Sequence, residues 1–226
     1  MDQEARQGPR AGNASRRRIV EAVLLFTIGP GLLTLGPRWL VSVAILSSGL
    51  ACALVLAFDP TFERRQLLGA AAARQGLPRV LMRALLVAAA LLAVTALAAP
   101  QALFSFPRTR PTVWGAVMVL YPLSAYAQEV VFRTFFFHRY GGLFATARAR
   151  VVASGLVFGW AHIVVNNLAA VALSAVAGML FAATYERSRS TLLVSIEHAL
   201  YGDVVFSVGL GSLFYSTARW VAVKGL

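Results

Sequence analysis

Seven long apolar stretches recur along the chain, at roughly residues 19–36, 39–58, 80–99, 112–137, 151–167, 168–185 and 191–211. Each approaches or exceeds the ~17–25 residues a helix needs to cross the hydrocarbon core of a bilayer. The runs are continuously apolar and rich in Ala and Leu, without the alternation of barrel strands, so helices are predicted. The expected fold class is all-α: a polytopic transmembrane helix bundle of about seven spans (six to eight). Composition removes the soluble alternative. Hydrophobic residues make up 58% of the chain and charged ones 13%, about half the usual charged share of ~25%. A soluble globule of this size keeps much of its surface wet and has nowhere to hide so much apolar area. The single Cys52 lies inside an apolar run, which excludes a disulfide framework and a thiolate zinc site.

The net charge is +12, and every basic residue except Lys224 is arginine. In a soluble chain that balance would suggest nucleic acid. Here the arginines fall between apolar runs, where they orient the chain and meet anionic headgroups. The expected partner is therefore a lipid bilayer with anionic headgroups, and nucleic acid is not expected. With the N-terminus inside, the inner segments carry Arg6, Arg10, Arg16, Arg17, Arg18, Arg64, Arg65, Arg74, Arg79, Arg139, Arg148, Arg150, Arg187 and Arg189. The outer segments carry only Arg38, Arg108, Arg110, Arg219 and Lys224. This asymmetry follows the positive-inside rule. The expected location is an integral protein of a bacterial inner membrane with a cytoplasmic N-terminus.

The domain organisation follows from the same map. Residues 1–18 are expected to be a disordered basic cytoplasmic tail. Residues 19–111 hold the N-terminal transmembrane helices and a cytoplasmic loop over 59–79, and residues 112–211 form a second helix core. Residues 212–226 are a short C-terminal tail. No small-residue cleavage site follows the first apolar run, so it reads as an uncleaved span rather than a signal peptide. No repeat links the two halves, unlike many transporters.

Ionisable groups inside a bilayer are costly and therefore candidates for function. They are Glu21, Glu129, Arg133, His162, Glu197, His198 and Asp203, beside the amides Gln128, Asn166 and Asn167. Glu21 and His138 read as interfacial, and Asn166-Asn167 as a turn between two spans. Glu129 and Arg133, four apart on one helical face, form an ion pair in the plain structural reading. At ~1.5 Å per residue, Glu129, His162 and His198 lie roughly 13, 18 and 13 Å from the inner surface. Three helices thus bring a carboxylate and two imidazoles to one layer, predicting a polar cavity open toward the cytoplasm. A carboxylate can take a proton from water while a histidine orients that water or protonates a leaving amine. A second histidine with an amide or acid can hold an oxyanion. No Ser or Cys stands in a nucleophile motif. Two histidines and a carboxylate are also a zinc-like ligand set, although the spacing is not that of a helix-borne His-Glu-x-x-His pair.

Three motifs occur in order: Gln128-Glu129-x-x-x-Arg133, Phe158-x-x-x-His162, and His198 with Gly202 and Asp203 following. Over about residues 115–205 the chain resembles the CPBP family of intramembrane proteases, which includes the type II CAAX prenyl endopeptidases and the Abi proteins. That family shows Glu-Glu-x-x-x-Arg, Phe-x-x-x-His and His-x-x-x-Asn/Asp on successive helices. The resemblance implies an intramembrane endopeptidase that uses activated water on a membrane-associated or C-terminally anchored peptide or protein. It makes residues 112–211 the catalytic core. Glu129 is then the expected base, with Gln128 positioning the water, His162 sharing it, His198 and Asp203 stabilising the oxyanion, and Arg133 holding Glu129. If a divalent metal such as zinc is bound, the expected ligands are Glu129, His162 and His198. Two departures stand out. Gln128 occupies the place of the family's first Glu and cannot accept a proton. Gly202 occupies the place of the amide or acid, so Asp203 substitutes only where the helix unwinds. The alternative reading is a catalytically inactive membrane binding or immunity protein of the same fold.

Overall fold

The computed structural model describes the backbone of residues 8–214 and the side chains of Asn13 and residues 15–214. Among the described residues every regular element is helical. Six helical stretches are long and apolar enough to cross a membrane: Arg38–Phe58, Arg64–Ala98, Pro111–Leu143, Ala147–Val165, Leu168–Ser188 and Thr191–Val208. Leucines such as Leu50, Leu85, Leu86, Leu97 and Leu120 are exposed on their outer faces. In water that exposure would be costly, whereas toward acyl chains it is not.

The expected first span belongs to a helix that begins further back. α1 (Gly8–Val23) runs through a π-helical turn, Leu24–Ile28, into α2 (Gly29–Leu33). The amide of Gly29 donates to Leu24 O, an i→i−5 bond immediately before Pro30. The expected disordered tail over 1–18 is thus helical from Gly8 onward, and residues 1–7 lie outside the described residues. Arg16, Arg17, Arg18 and Glu21 lie in the second half of α1, and this helix is not among the six long apolar stretches.

α3 (Arg38–Phe58) ends at Asp59, whose carboxylate caps the turn through the amide and hydroxyl of Thr61 and meets His138 Nε2 at 2.9 Å. The Thr61 hydroxyl, and then the histidine, hold this carboxyl well below the usual carboxylate range. The expected loop over 59–79 is shorter than its composition suggests, because α4 (Ala70–Ala98) begins at Ala70. A one-turn helix, α5 (Ser105–Thr109), leads into α6 (Pro111–Glu129). α6 continues through a second π-helical segment, Val130–Phe135, into α7 (Phe136–Tyr140). α8 (Ala147–Ala161), α9 (Leu168–Ser188) and α10 (Thr191–Val208) complete the bundle.

The last three helices begin at sequence-readable caps: Thr146, Asn167 and Ser190 each accept a bond from an amide two or three residues on. Asn166 adopts the left-handed conformation (φ 57°), and with Asn167 it makes the turn expected between the two spans. α8 and α9 approach closely because glycines line the seam. A Cβ at Gly155 would lie 2.8 Å from Met179 N, and one at Gly159 would lie 2.8 Å from Ala175 Cα. Small residues permit such approach in apolar surroundings, where packing rather than hydrophobic burial drives helix association.

Candidate active site

The π-helical segment starts directly after Glu129, and such local insertions recur at functional sites. Glu129 and Arg133 flank it and face each other, Arg133 Nε to Glu129 Oε2 at 3.1 Å, with both side chains wholly buried. The guanidinium also donates to Gly178 O at 2.9 Å on α9. It lies over the Phe158 ring at 4.4 Å and near the Phe181 ring at 5.5 Å. Cation–π contact of this kind strengthens once the cation is removed from water. Arg133 is therefore a fixed positive charge.

The second oxygen of Glu129 contacts His198 Nδ1 at 2.8 Å. A carboxylate can only accept, so Nδ1 carries the proton, and in the neutral form of the ring the lone pair is at Nε2. His162 Nδ1 lies 2.9 Å from Phe158 O. A carbonyl also only accepts, so His162 has the same tautomer. Both imidazoles thus keep Nε2 for another partner. Phe158 joins the two: its ring lies 4.7 Å from that of His162 and 5.3 Å from that of His198, with Phe181 stacked on the latter at 4.7 Å. The Phe of the Phe-x-x-x-His motif is thus the common packing partner of Arg133, His162 and His198.

His162, His198 and Gln128 line one cavity of about 730 Å³, whose walls are otherwise mainly apolar. Gln128 Nε2 donates to Ser124 Oγ at 3.1 Å, and Ser124 and Tyr121 complete the α6 wall. The convergence predicted for the three motif helices is present. Its orientation differs from expectation. The cavity reaches Pro30, Leu33, Val41, Val165 and Phe214, at the end of the bundle that carries the Asn166 turn. Arg139, Arg150 and Arg189 lie at the opposite end, in ion pairs with Glu21 and Glu186. The cavity therefore extends away from the arginine-rich end rather than toward it. Helix depth locates a side chain along the normal; it does not reveal which half of the bundle is hollow.

Two expected roles need correction. Glu129 is wholly buried and lies behind His198, outside the cavity lining, with its oxygens turned to His198 and Arg133. α10 is helical without interruption from Thr191 to Val208, so the unwinding that would bring Asp203 into the site is absent. Asp203 is not part of the lining, and its Oδ1 is buried without a hydrogen-bond partner among the described residues.

Among the described residues no three His, Cys, Asp or Glu side chains cluster closely enough to hold a metal ion. Glu129, committed to Arg133 and His198, does not fit as a third ligand beside the two histidines.

A second buried cluster went unanticipated. Glu197 accepts from Tyr201 at 3.1 Å and from the Thr184 hydroxyl at 2.5 Å, and pairs with Arg83 at 2.9 Å. Arg83 also donates to Thr184 at 2.7 Å. The sequence signal was an arginine within the apolar run 80–99. The cluster joins α4, α9 and α10 and neutralises a carboxylate beside His198.

A buried carboxylate–imidazole pair whose histidine lines an apolar cavity, inside a bundle of helices long and apolar enough to cross a membrane, marks an integral membrane protein with groups suited to acid–base chemistry. Comparison with known proteins narrows the class over one segment of the chain. Residues 110–202 match the family model described as Rce1-like, type II CAAX prenyl endopeptidase Rce1-like. The match covers less than half of the chain but includes all three motifs, and the resemblance to the CPBP proteases is borne out over that segment. The match suggests CAAX-protease-like intramembrane proteolysis as the coarse functional class. No curated protein and no solved structure matches the chain.

Proposed function

We propose that the protein is an endopeptidase that cleaves a membrane-associated or C-terminally anchored peptide with water activated by His198. The observation that carries this reading is the 2.8 Å contact between Glu129 and His198 Nδ1, with Arg133 on the other carboxylate oxygen. A carboxylate in this position fixes the tautomer of the imidazole and stabilises the imidazolium that forms, as in other carboxylate–histidine pairs. Nε2 of His198 takes a proton from water while the water oxygen bonds to the scissile carbonyl carbon and the carbonyl π pair moves onto oxygen. Collapse of the tetrahedral species returns that pair, breaks the C–N bond, and His198 delivers the proton to the leaving nitrogen. His162 Nε2 accepts the water's other hydrogen and so aims its lone pair. Gln128 orients the substrate amide or the water, having no proton of its own to exchange near neutral pH. The apolar walls suit a peptide that arrives within the bilayer or carries a lipid chain.

The test is digestion of a membrane-peptide library by the purified protein in H2¹⁸O. The reading expects cleavage with one ¹⁸O in the new carboxylate, and cleavage lost in His198→Ala. Folded wild-type protein that cleaves nothing would favour the second reading, an inactive binding or immunity protein. Gln128 in place of the family's first Glu is the observation in its favour.

A further inference from the structure

The family pattern places an amide or acid one helical turn after the third-motif histidine; this chain has Gly202 there. What fills the space is Tyr121. A Cβ at residue 202 would lie 2.0 Å from Tyr121 Cε1 and 2.7 Å from its hydroxyl oxygen. The phenol thus lies on the α10 backbone where the side chain of residue 202 would otherwise stand. Its ring meets the His198 ring edge-on, with centroids 5.6 Å apart. Residues 198 and 202 are i, i+4 neighbours on one face of α10, so the Tyr121 ring sits beside the imidazole at the cavity wall.

Tyr121 comes from a different helix than the residue it replaces. On α6 it precedes Ser124 by three residues and Gln128 by seven, a single helical face, and all three line the cavity. Phe206 supports the ring from the other side at 6.1 Å. The hydroxyl has no hydrogen-bond partner among the described residues, whereas Tyr126, Tyr140, Tyr185 and Tyr201 each use theirs on a backbone or side-chain acceptor. Tyr121 is half-buried, and a tyrosine drawn out of water ordinarily finds a partner for its hydroxyl. One that stays free, on a residue lining the cavity beside the imidazole, is available to a ligand.

We propose that Tyr121 is the oxyanion donor of this site and that Gly202 is small to admit it. The inference rests on the proteolytic reading above. As the water oxygen bonds to the scissile carbon and its proton passes to His198, the carbonyl oxygen gains the π pair and becomes the anion. The Tyr121 O–H donates a hydrogen bond to that oxygen and keeps its proton throughout. On collapse the pair returns to the C–O bond and the hydrogen bond weakens. The donor that the family pattern carries on α10 has moved to α6, and the glycine and the tyrosine are one paired change.

Kinetics with the membrane-peptide library separate the possibilities. Removing one oxyanion donor costs about 10²–10³ in kcat, so Tyr121→Phe should lose about that factor with little change in KM or in thermal midpoint. Inhibition by a peptidyl phosphinate, a charged tetrahedral mimic, should weaken by a similar factor. Gly202→Asn alone should fail, by collision with the ring, whereas Tyr121→Ala/Gly202→Asn should recover activity lost in Tyr121→Ala. Tyr121→Phe that cleaves and binds phosphinate like wild type would overturn the proposal while leaving the proteolytic reading intact. A wild-type protein without cleavage would overturn both. Loss in Tyr121→Phe accompanied by a fall in thermal midpoint and an unchanged phosphinate constant would assign the ring a packing role and overturn the proposal as well.

Discussion

At the scale of single residues, the site is organised by Arg133 rather than by the groups that would do chemistry. A wholly buried guanidinium pairs with a wholly buried carboxylate, and removing one partner of such a pair leaves an uncompensated charge at a cost of about 3–5 kcal/mol. Glu129→Ala should therefore lower stability by about that amount in denaturant unfolding in detergent, and Glu129→Gln by less, since the amide keeps the volume and a polar oxygen beside Arg133. The two motif residues were legible in the sequence because a charge within an apolar run is conspicuous. Their division of labour was not. Spacing put Glu129 and Arg133 on one face, but which carboxylate oxygen reaches a histidine depends on the π-helical segment after Glu129, for which the sequence carries no clear sign. Tyr121 was missed for a related reason: an aromatic residue in a span looks like packing until the glycine opposite it is known.

At the scale of elements, the α8–α9 pair fixes both Phe158 and His162. Gly155 and Gly159, four apart, form a Gly-x-x-x-Gly face against Ala175 and Met179, a pattern present in the sequence though not read from it. Enlarging a well-packed contact costs about 1–3 kcal/mol, occasionally more. Gly159→Leu should exceed that range because the obstruction at Ala175 is backbone. It should also reduce cleavage by displacing His162, which a thermal midpoint measured beside turnover would reveal. The helix count was readable from apolar run length, and the caps Asn167 and Ser190 from residue type. The first helix was the exception. Arg16–Arg18 looked like a solvated tail, yet they continue the helix through Val23, because a helix at a membrane boundary can carry arginines on turns that extend into the headgroup layer.

For the whole molecule, the cavity and the arginines occupy opposite ends of the bundle. If the positive-inside rule sets the orientation, a reporter fused after Arg148 should be active in the cytoplasm. A cysteine replacing Val41, at the cavity end, should then react with a membrane-impermeant reagent added from outside. Labelling only from the cytoplasmic side would reverse the orientation while leaving the site unchanged. The central claim is that Glu129 acts through His198 rather than on water directly. A double-mutant cycle with Glu129→Gln and His198→Ala tests it, because residues that work as one unit are strongly non-additive. With each variant confirmed as folded, the account predicts that each single substitution loses most of kcat and that the double variant cleaves no more slowly than His198→Ala alone. Additive losses, or full activity in folded Glu129→Gln, would contradict it.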